Sequence, residues 1–325
     1  MRVGVIGQTW PDAFAAHIIA GLSALGHDPV PLGSARSRGP YTSRSAMIIR
    51  RALPGLDERA QRRIARSALE NDCAAVINVE QDLLPSVVRQ IRRGGAKVAL
   101  WFPDSLANLG RQLVLLAPYD ALFFKDPYLV RRLRATLGLP VFYLPEACAS
   151  RSSPLPGTPG ADRHLVIAGN MYPSRIRLLE RVLAAGIPLR LYGPGFPRWA
   201  GPTPLRAVHA GRCIFEAEKA EVFRSAVAVL NNLHPGEIES VNARLFEAAA
   251  AGAAIVTEYR PALTDLFAIG DEVLAFDDFD ELVSQANRLL RDDGLSGKLG
   301  DAAARRAQQN HTYEKRLTVL LEKLS

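Results

Sequence analysis

Short β-branched apolar runs alternate along the chain with longer segments whose apolar positions recur at helical spacing. That alternation predicts an α/β fold with parallel sheets. Val3–Ile6 reads as a strand, Asp12–Leu25 as a helix ending near Gly26, and Pro29–Leu32 as a short second strand. An Arg-rich helical region precedes strand Ala74–Val79, helix Leu84–Arg93 and strand Lys97–Phe102. Strand Ala121–Phe124, helix Pro127–Leu137 and strand Val141–Leu144 complete a first doubly wound domain. A second series has strands at Leu165–Ala168, Leu189–Tyr192, Val227–Asn231, Ala254–Glu258 and Val273–Phe276. Its helices fall at Arg175–Ala185, Glu216–Arg224 and Ala243–Ala251, and the tail reads as helical at Phe279–Leu290, Ser296–Gln309 and Tyr313–Leu324. Between the series, Ala149–Asp162 is rich in Pro, Gly and Ser and has no periodicity, as in a linker. The expected organisation is a first domain over 1–150, a linker over 151–162 and a second domain over 163–305. A further helical segment follows over 306–325.

The stretch richest in chemistry lies in the second series. Glu239 and Glu247 stand eight residues apart, the second on an Ala-rich helix that runs to Gly252 and then into the apolar run Ala253–Thr257. A Gly just past a helix supplies the left-handed cap, and β-branched residues suit a buried parallel strand. A carboxylate early in that helix can accept both hydroxyls of a ribose diol, and Arg244 beside it can neutralise phosphate. Upstream, Gly169-Asn170-Met-Tyr-Pro-Ser-Arg175 follows a strand and opens a helix. Its N–H groups would meet a pyrophosphate, with Arg175 in place of a metal. The alternative is that Ser174 only caps the helix and Arg175 is solvated. Tyr192-Gly193 closes a strand at a tight turn, and His234 lies in a Gly/Pro loop before Glu239.

The series Asn242-x-Arg244-x-Phe246-Glu247-x-x-Ala250-x-Gly252, Thr257-Glu258-Tyr259-Arg260 and Leu263-x-x-x-Phe267-x-x-Gly270-x-Glu272 resembles the CgeB-like, spore-maturation type of glycosyltransferase. These belong with the GT-B glycosyltransferases that carry a Glu-x7-Glu signature. The likeness extends to Ala168-Gly169-Asn170-x-Tyr172-x-x-Arg175, Leu191-Tyr192-Gly193 and His311-Thr312-Tyr313-x-x-Arg316. It covers the second half densely and the first half in outline. The resemblance implies two Rossmann-like domains facing across a cleft, with a nucleotide-diphosphate sugar such as a UDP-sugar as co-substrate and no other cofactor. The donor would lie in the second domain, against Gly169, Asn170, Arg175, Tyr192, Gly193, His234, Glu239, Asn242, Arg244 and Glu247. The acceptor would lie on the first, and the terminal segment 306–325 would pack back on that domain.

Composition is that of an ordinary globular enzyme, with 48% hydrophobic and 22% charged residues in 325, enough for two domains of about 150 residues each. No apolar run reaches the roughly 18 residues of a membrane span. Three cysteines without metal spacing argue against disulfides and zinc and for a reducing cytoplasm. The net charge of +7 is concentrated in one stretch, where Arg36, Arg38, Arg44, Arg50, Arg51, Arg59, Arg62, Arg63 and Arg66 crowd together. Of these, Arg50, Arg51, Arg62 and Arg63 are the acceptor-side candidates. Such a stretch can draw an anionic acceptor or a lipid surface, or it can simply be a solvated helix face. Nucleic acid fits less well, because Tyr41 is the only aromatic in the patch.

The acid–base group that would deprotonate an acceptor hydroxyl is best sought at Asp104, which follows strand Lys97–Phe102. Glu80, Asp82 and His17 are poorer choices, His17 because a helix position suggests a core-facing role. The acidic run Asp277-Asp278-Phe-Asp280-Glu281 precedes a helix and suits capping better than metal binding. No metal is expected. The rival functions are a nucleotide-sugar epimerase and a non-catalytic nucleotide-sugar-binding protein. A dehydrogenase is disfavoured because Gly4-Val-Ile-Gly7-Gln-Thr-Trp10 lacks the third Gly of the dinucleotide fingerprint.

Overall fold

A computed structural model of the chain describes residues 1–35, 54–105, 108–110, 112–150 and 157–325. Arg50 and Arg51, with Arg36, Arg38, Tyr41 and Arg44, lie outside the described residues, as does 151–156 of the expected linker. The chain forms two compact units, Met1–Pro145 with Tyr313–Ser325, and Glu146–Thr312. These limits differ from 150 and 306 for a local reason. The Cys148 N–H donates to the His311 carbonyl at 2.9 Å, and Cys148 pairs with Thr312 as a parallel bridge. Residues 146–149 and 306–312 are therefore stitched into the second unit.

The first unit is a six-stranded parallel sheet in the order β2-β1-β3-β4-β5-β6. Its strands are β1 (Arg2–Ile6), β2 (Asp28–Gly33), β3 (Ala75–Asn78), β4 (Lys97–Phe102), β5 (Ala121–Phe124) and β6 (Val141–Tyr143). The central strands are apolar runs buried on both faces, as parallel sheets require. Helices α1 (Phe14–Ala24), α2 (Pro54–Glu70), α3 (Pro85–Arg93) and α4 (Pro127–Leu137) connect them. Helix α1 starts two residues later than the pattern suggests, because Asp12 takes a left-handed φ of 61° and cannot begin it. Arg62 and Arg63 are exposed on α2, with Arg62 3.3 Å from Glu58 one turn earlier. Such a pair on a helix surface adds only a few tenths of a kcal/mol.

The second unit is a five-stranded parallel sheet in the order β11-β10-β9-β7-β8. Its strands are β7 (Asp162–Ala168), β8 (Leu189–Tyr192), β9 (Ala226–Asn231), β10 (Ile255–Glu258) and β11 (Leu274–Phe276). Helices α5 (Pro173–Ala184), α6 (Glu216–Ser225), α7 (Ala243–Ala250), α8 (Leu263–Leu266), α9 (Phe279–Arg291) and α10 (Leu295–Asn310) surround it. Asp278 caps α9 by accepting the Glu281 N–H at 2.8 Å, and Glu281 accepts the Asp277 N–H at 2.8 Å. The acidic run is thus occupied with a reciprocal cap. The last helix, α11 (Tyr313–Glu322), packs on α1, where a Cβ at Gly21 would lie 2.8 Å from Leu317. Among the described residues no helix is long and apolar enough to cross a membrane.

Candidate functional site

In a parallel sheet, the loops that follow strand C-termini collect at one edge. In the second unit those loops bring together residues 169–175 after β7, Gly193 after β8, 232–242 after β9 and 258–262 after β10. Gly169 and Gly193 make the closest approach. The Gly169 N–H donates to the Tyr192 carbonyl at 2.9 Å, and a Cβ at Gly193 would lie 2.3 Å from the Gly169 carbonyl oxygen. Gly193 also holds a φ of +146°, in the region that favours glycine. Gly193→Ala is expected to cost about 2 kcal/mol or more through strain and the forced separation of the two loops. A thermal melt of the variant checks this, and an unchanged Tm would refute the close approach.

Arg175 sits in the first turn of α5 and is only 8% exposed. Its Nε donates to Asn232 Oδ1 at 2.8 Å, Nη1 to the Asn170 carbonyl at 2.8 Å and Nη2 to the Asn232 carbonyl at 3.3 Å. The guanidinium lies 4.4 Å over the Tyr172 ring. Among the described residues these partners are all neutral. Burial pushes the Arg175 pKa down from its ordinary value; the Tyr172 hydroxyl opposes this, and the Arg244 charge adds to it. The solvated alternative does not hold. Ser174 is exposed and does not cap α5, whose N-cap residue is Tyr172 and whose first residue is Pro173.

Arg244 and Arg175 converge. A Cβ built on Gly169 would stand 3.0 Å from Arg175 Nη1 and 3.6 Å from Arg244 Nη2. Arg244 in turn approaches Glu247 one turn along α7 at 3.3 Å, and Glu247 accepts from Lys219 Nζ at 3.0 Å. Three cations thus gather around Glu247 and Gly169, next to the N-termini of α5 and α7, where the helix ends add partial positive charge. Asn242 is the N-cap residue of α7 but its side chain does not cap the helix, and its Oδ1 is buried without a partner among the described residues. Such an orphan acceptor is costly unless a ligand or water serves it. His234 is half-buried, accepts the Gly236 N–H at Nδ1 (3.0 Å) and meets the Tyr172 ring edge-to-face at 5.2 Å. Glu239 is half-buried on the loop after β9, its carbonyl accepting the Ala262 N–H at 3.0 Å.

In the first unit the expected base, Asp104, is exposed just after β4, and its Oδ1 accepts the Ser105 N–H at 2.8 Å. Glu80 is buried and holds a loop: its carboxylate accepts from Ser34 Oγ and the Ala35 N–H, each at 2.7 Å. The Asp82 carbonyl accepts from Gln61. His17 lies on the face of α1 that meets the buried Tyr313. It is half-buried, stacked on Tyr313 at 5.0 Å and 3.8 Å from Asp12.

Lys219 and Asn232 are side chains at this edge that no sequence motif marks, and Glu258 and Arg260 stand in the motif Thr257–Arg260 without a role attached. Lys219 was legible in principle. It falls four residues before Phe223 on α6, the buried face of that helix, where a lysine needs a counter-charge.

The chain thus has two Rossmann-like units, each a parallel sheet flanked by helices, with a cation-rich loop edge on the second. Residues 175–322 match the family model described as "Glycosyl transferase-like". Over the whole chain the structure is similar to sucrose-phosphate synthase from Thermosynechococcus elongatus, with a TM-score of 0.70, 15% identity and coverage of 99% of this chain and 97% of that one. HepE of Anabaena, solved with UDP-glucose, matches with a TM-score of 0.67 at 12% identity, covering 100% of both chains. The lipopolysaccharide outer core galactosyltransferase WaaB matches with a TM-score of 0.63 at 14% identity, again covering 100% of both. No curated protein sequence matches the chain.

Proposed function

We propose that this protein transfers a sugar from a nucleoside diphosphate sugar to an acceptor hydroxyl without a metal, as a CgeB-like member of the GT-B glycosyltransferases. The observation that carries the reading is Arg175, a buried guanidinium whose described partners are all neutral, converging with Arg244 on the Gly169 turn. A buried cation without a counter-charge is costly, and a diphosphate is a ligand that supplies one. Glu247 then takes the ribose. Gly169, Asn170, Tyr192, Gly193, His234, Glu239 and Asn242 form the rest of the donor site. The first unit takes the acceptor, with Asp104 as the base. Arg50, Arg51, Arg62 and Arg63 are the means of drawing an anionic acceptor, or one presented at an anionic membrane, and placement in the cytoplasm belongs to the same reading.

A thermal-shift screen of UDP-, GDP- and TDP-linked sugars tests the donor assignment. A ligand present at 100 times its Kd stabilises the folded state by about 2.7 kcal/mol, so a clear upward shift with one nucleotide is expected. No shift with any of them would defeat the proposal. Labelled donor then separates transfer from epimerisation and from binding alone. Transfer is also expected to persist in EDTA, because Arg175 and Arg244 are placed to stabilise the departing diphosphate. Loss of activity with chelator and its recovery with Mg²⁺ or Mn²⁺ would count against this.

A further inference from the structure

The loop that carries Glu239 is tied at three points to the segment that begins at the end of β10. Glu258 Oε2 accepts the Leu233 N–H at 2.9 Å. Arg260 Nε donates to the Glu237 carbonyl at 2.8 Å, and the Ala262 N–H donates to the Glu239 carbonyl at 3.0 Å. The two charged side chains are themselves joined, Arg260 Nη2 to Glu258 Oε1 at 2.8 Å, while Nη1 donates to the Tyr259 carbonyl at 2.6 Å. Inside the loop Ser240 Oγ donates to Glu237 Oε2, and the Glu237 N–H donates to the His234 carbonyl at 2.9 Å.

A surface ion pair adds little to stability. This one differs in kind: all three guanidinium nitrogens and both carboxylate oxygens have separate partners, and the side chains are only 19% and 27% exposed. Its effect is geometric. Ordering a loop costs about 1–2 kcal/mol per residue in backbone entropy, and fixed anchors lower the part of that cost left for the ligand to meet. The planar fork of arginine is suited to holding several acceptors at once in a way lysine is not.

We infer that Glu258 and Arg260 are positioning residues that set the Glu239 loop against the transferred sugar. The inference rests on the donor reading above. In that reading α5 and α7 hold the diphosphate and ribose, through Arg175, Arg244 and Glu247, which leaves the loop after β9 to the sugar. Glu247 is braced by Lys219 and Arg244, which lie on α6 and α7. Disturbing the clamp therefore acts on the sugar half of the donor and spares the nucleotide half.

The test compares the affinities of UDP and UDP-glucose in the wild type, Arg260→Ala, Arg260→Lys and Glu258→Gln, with amide exchange of the loop measured in parallel. Arg260→Ala is expected to weaken UDP-glucose by about tenfold while UDP changes by less than about twofold. Arg260→Lys should not restore the loss. Glu258→Gln keeps an acceptor for Leu233 but loses the charge facing Arg260, and it should show a smaller loss in the same ratio. The Ala262 amide should exchange faster in Arg260→Ala. If UDP and UDP-glucose weaken together, or neither changes in a folded variant, the positioning role is refuted. Should Arg260→Ala fail to fold, the ratio in Glu258→Gln decides the matter. A wild type that binds none of the UDP-, GDP- and TDP-linked sugars sinks the donor reading and this inference with it. Where GDP or TDP is the nucleotide bound, the same comparison is made with it and its sugar, and wild-type binding with an unaltered ratio in the variants sinks the inference alone.

Discussion

Glu247→Ala is expected to weaken nucleoside diphosphate binding by about 30- to 150-fold, or about 2–3 kcal/mol, the loss typical of a charged hydrogen-bonding partner. The structure adds a second consequence. Glu247 accepts from Lys219 at 3.0 Å, and Lys219 is 9% exposed, so the alanine leaves a largely buried ammonium without this counter-charge. Removing one member of such a pair costs more than the pair contributes, and the unliganded variant should melt at a lower temperature. The two effects separate in a double variant. Lys219→Met with Glu247→Ala replaces the ammonium by an apolar chain of similar length, so stability should recover while affinity stays low. Calorimetric titration with UDP and a thermal melt of the three proteins decide the point. A folded Glu247→Ala that binds UDP like the wild type would remove Glu247 from the donor site.

Most strands were legible because they are built on short apolar runs, as in β3, β5 and β9, and most helical connections show helical periodicity. The buried runs Val3–Ile6 and Ala226–Leu230 admit few other readings. Helix boundaries were less so. Nothing in the local pattern distinguishes Asp12 as left-handed, and α5 starts two residues earlier than expected, at Pro173, a residue suited to the first helical position. In the site, Glu247, Arg244 and Arg175 could be found from their places at helix starts. Their mutual convergence could not, because it depends on Gly169 and Gly193 allowing two loops from different strands to touch. The clamp of Glu258 and Arg260 was hidden for the same reason. Its partners, Leu233 and Glu237, are backbone groups more than twenty residues away in sequence, and no side-chain pattern marks a carbonyl or an amide that a distant residue will use.

Arg175→Met is expected to lower kcat/KM by about 100- to 1,000-fold, the loss seen when one preorganised donor to a developing charge is removed. The argument begins with the unliganded protein. Burial lowers the pKa of the Arg175 guanidinium, so holding it charged in the fold has a cost. A base whose folded pKa is depressed is penalised at every pH below that value, and the penalty lifts only as pH rises through it. Acidification therefore gives no relief, but an arriving diphosphate does. That is the state in which the leaving group acquires charge, and the guanidinium is already held in place by Asn232 and the Asn170 carbonyl. The methionine removes the cation and also strands those buried acceptors, at about 1–3 kcal/mol each, so the variant should melt earlier. Arg175→Lys distinguishes charge from scaffold. It keeps the cation but cannot span both oxygens of Asn232, so it should retain part of the nucleotide-induced thermal shift while turnover stays well below wild type. If Arg175→Lys and Arg175→Met lose turnover equally and both keep the full thermal shift, Arg175 only supports the loop, and the diphosphate is held elsewhere.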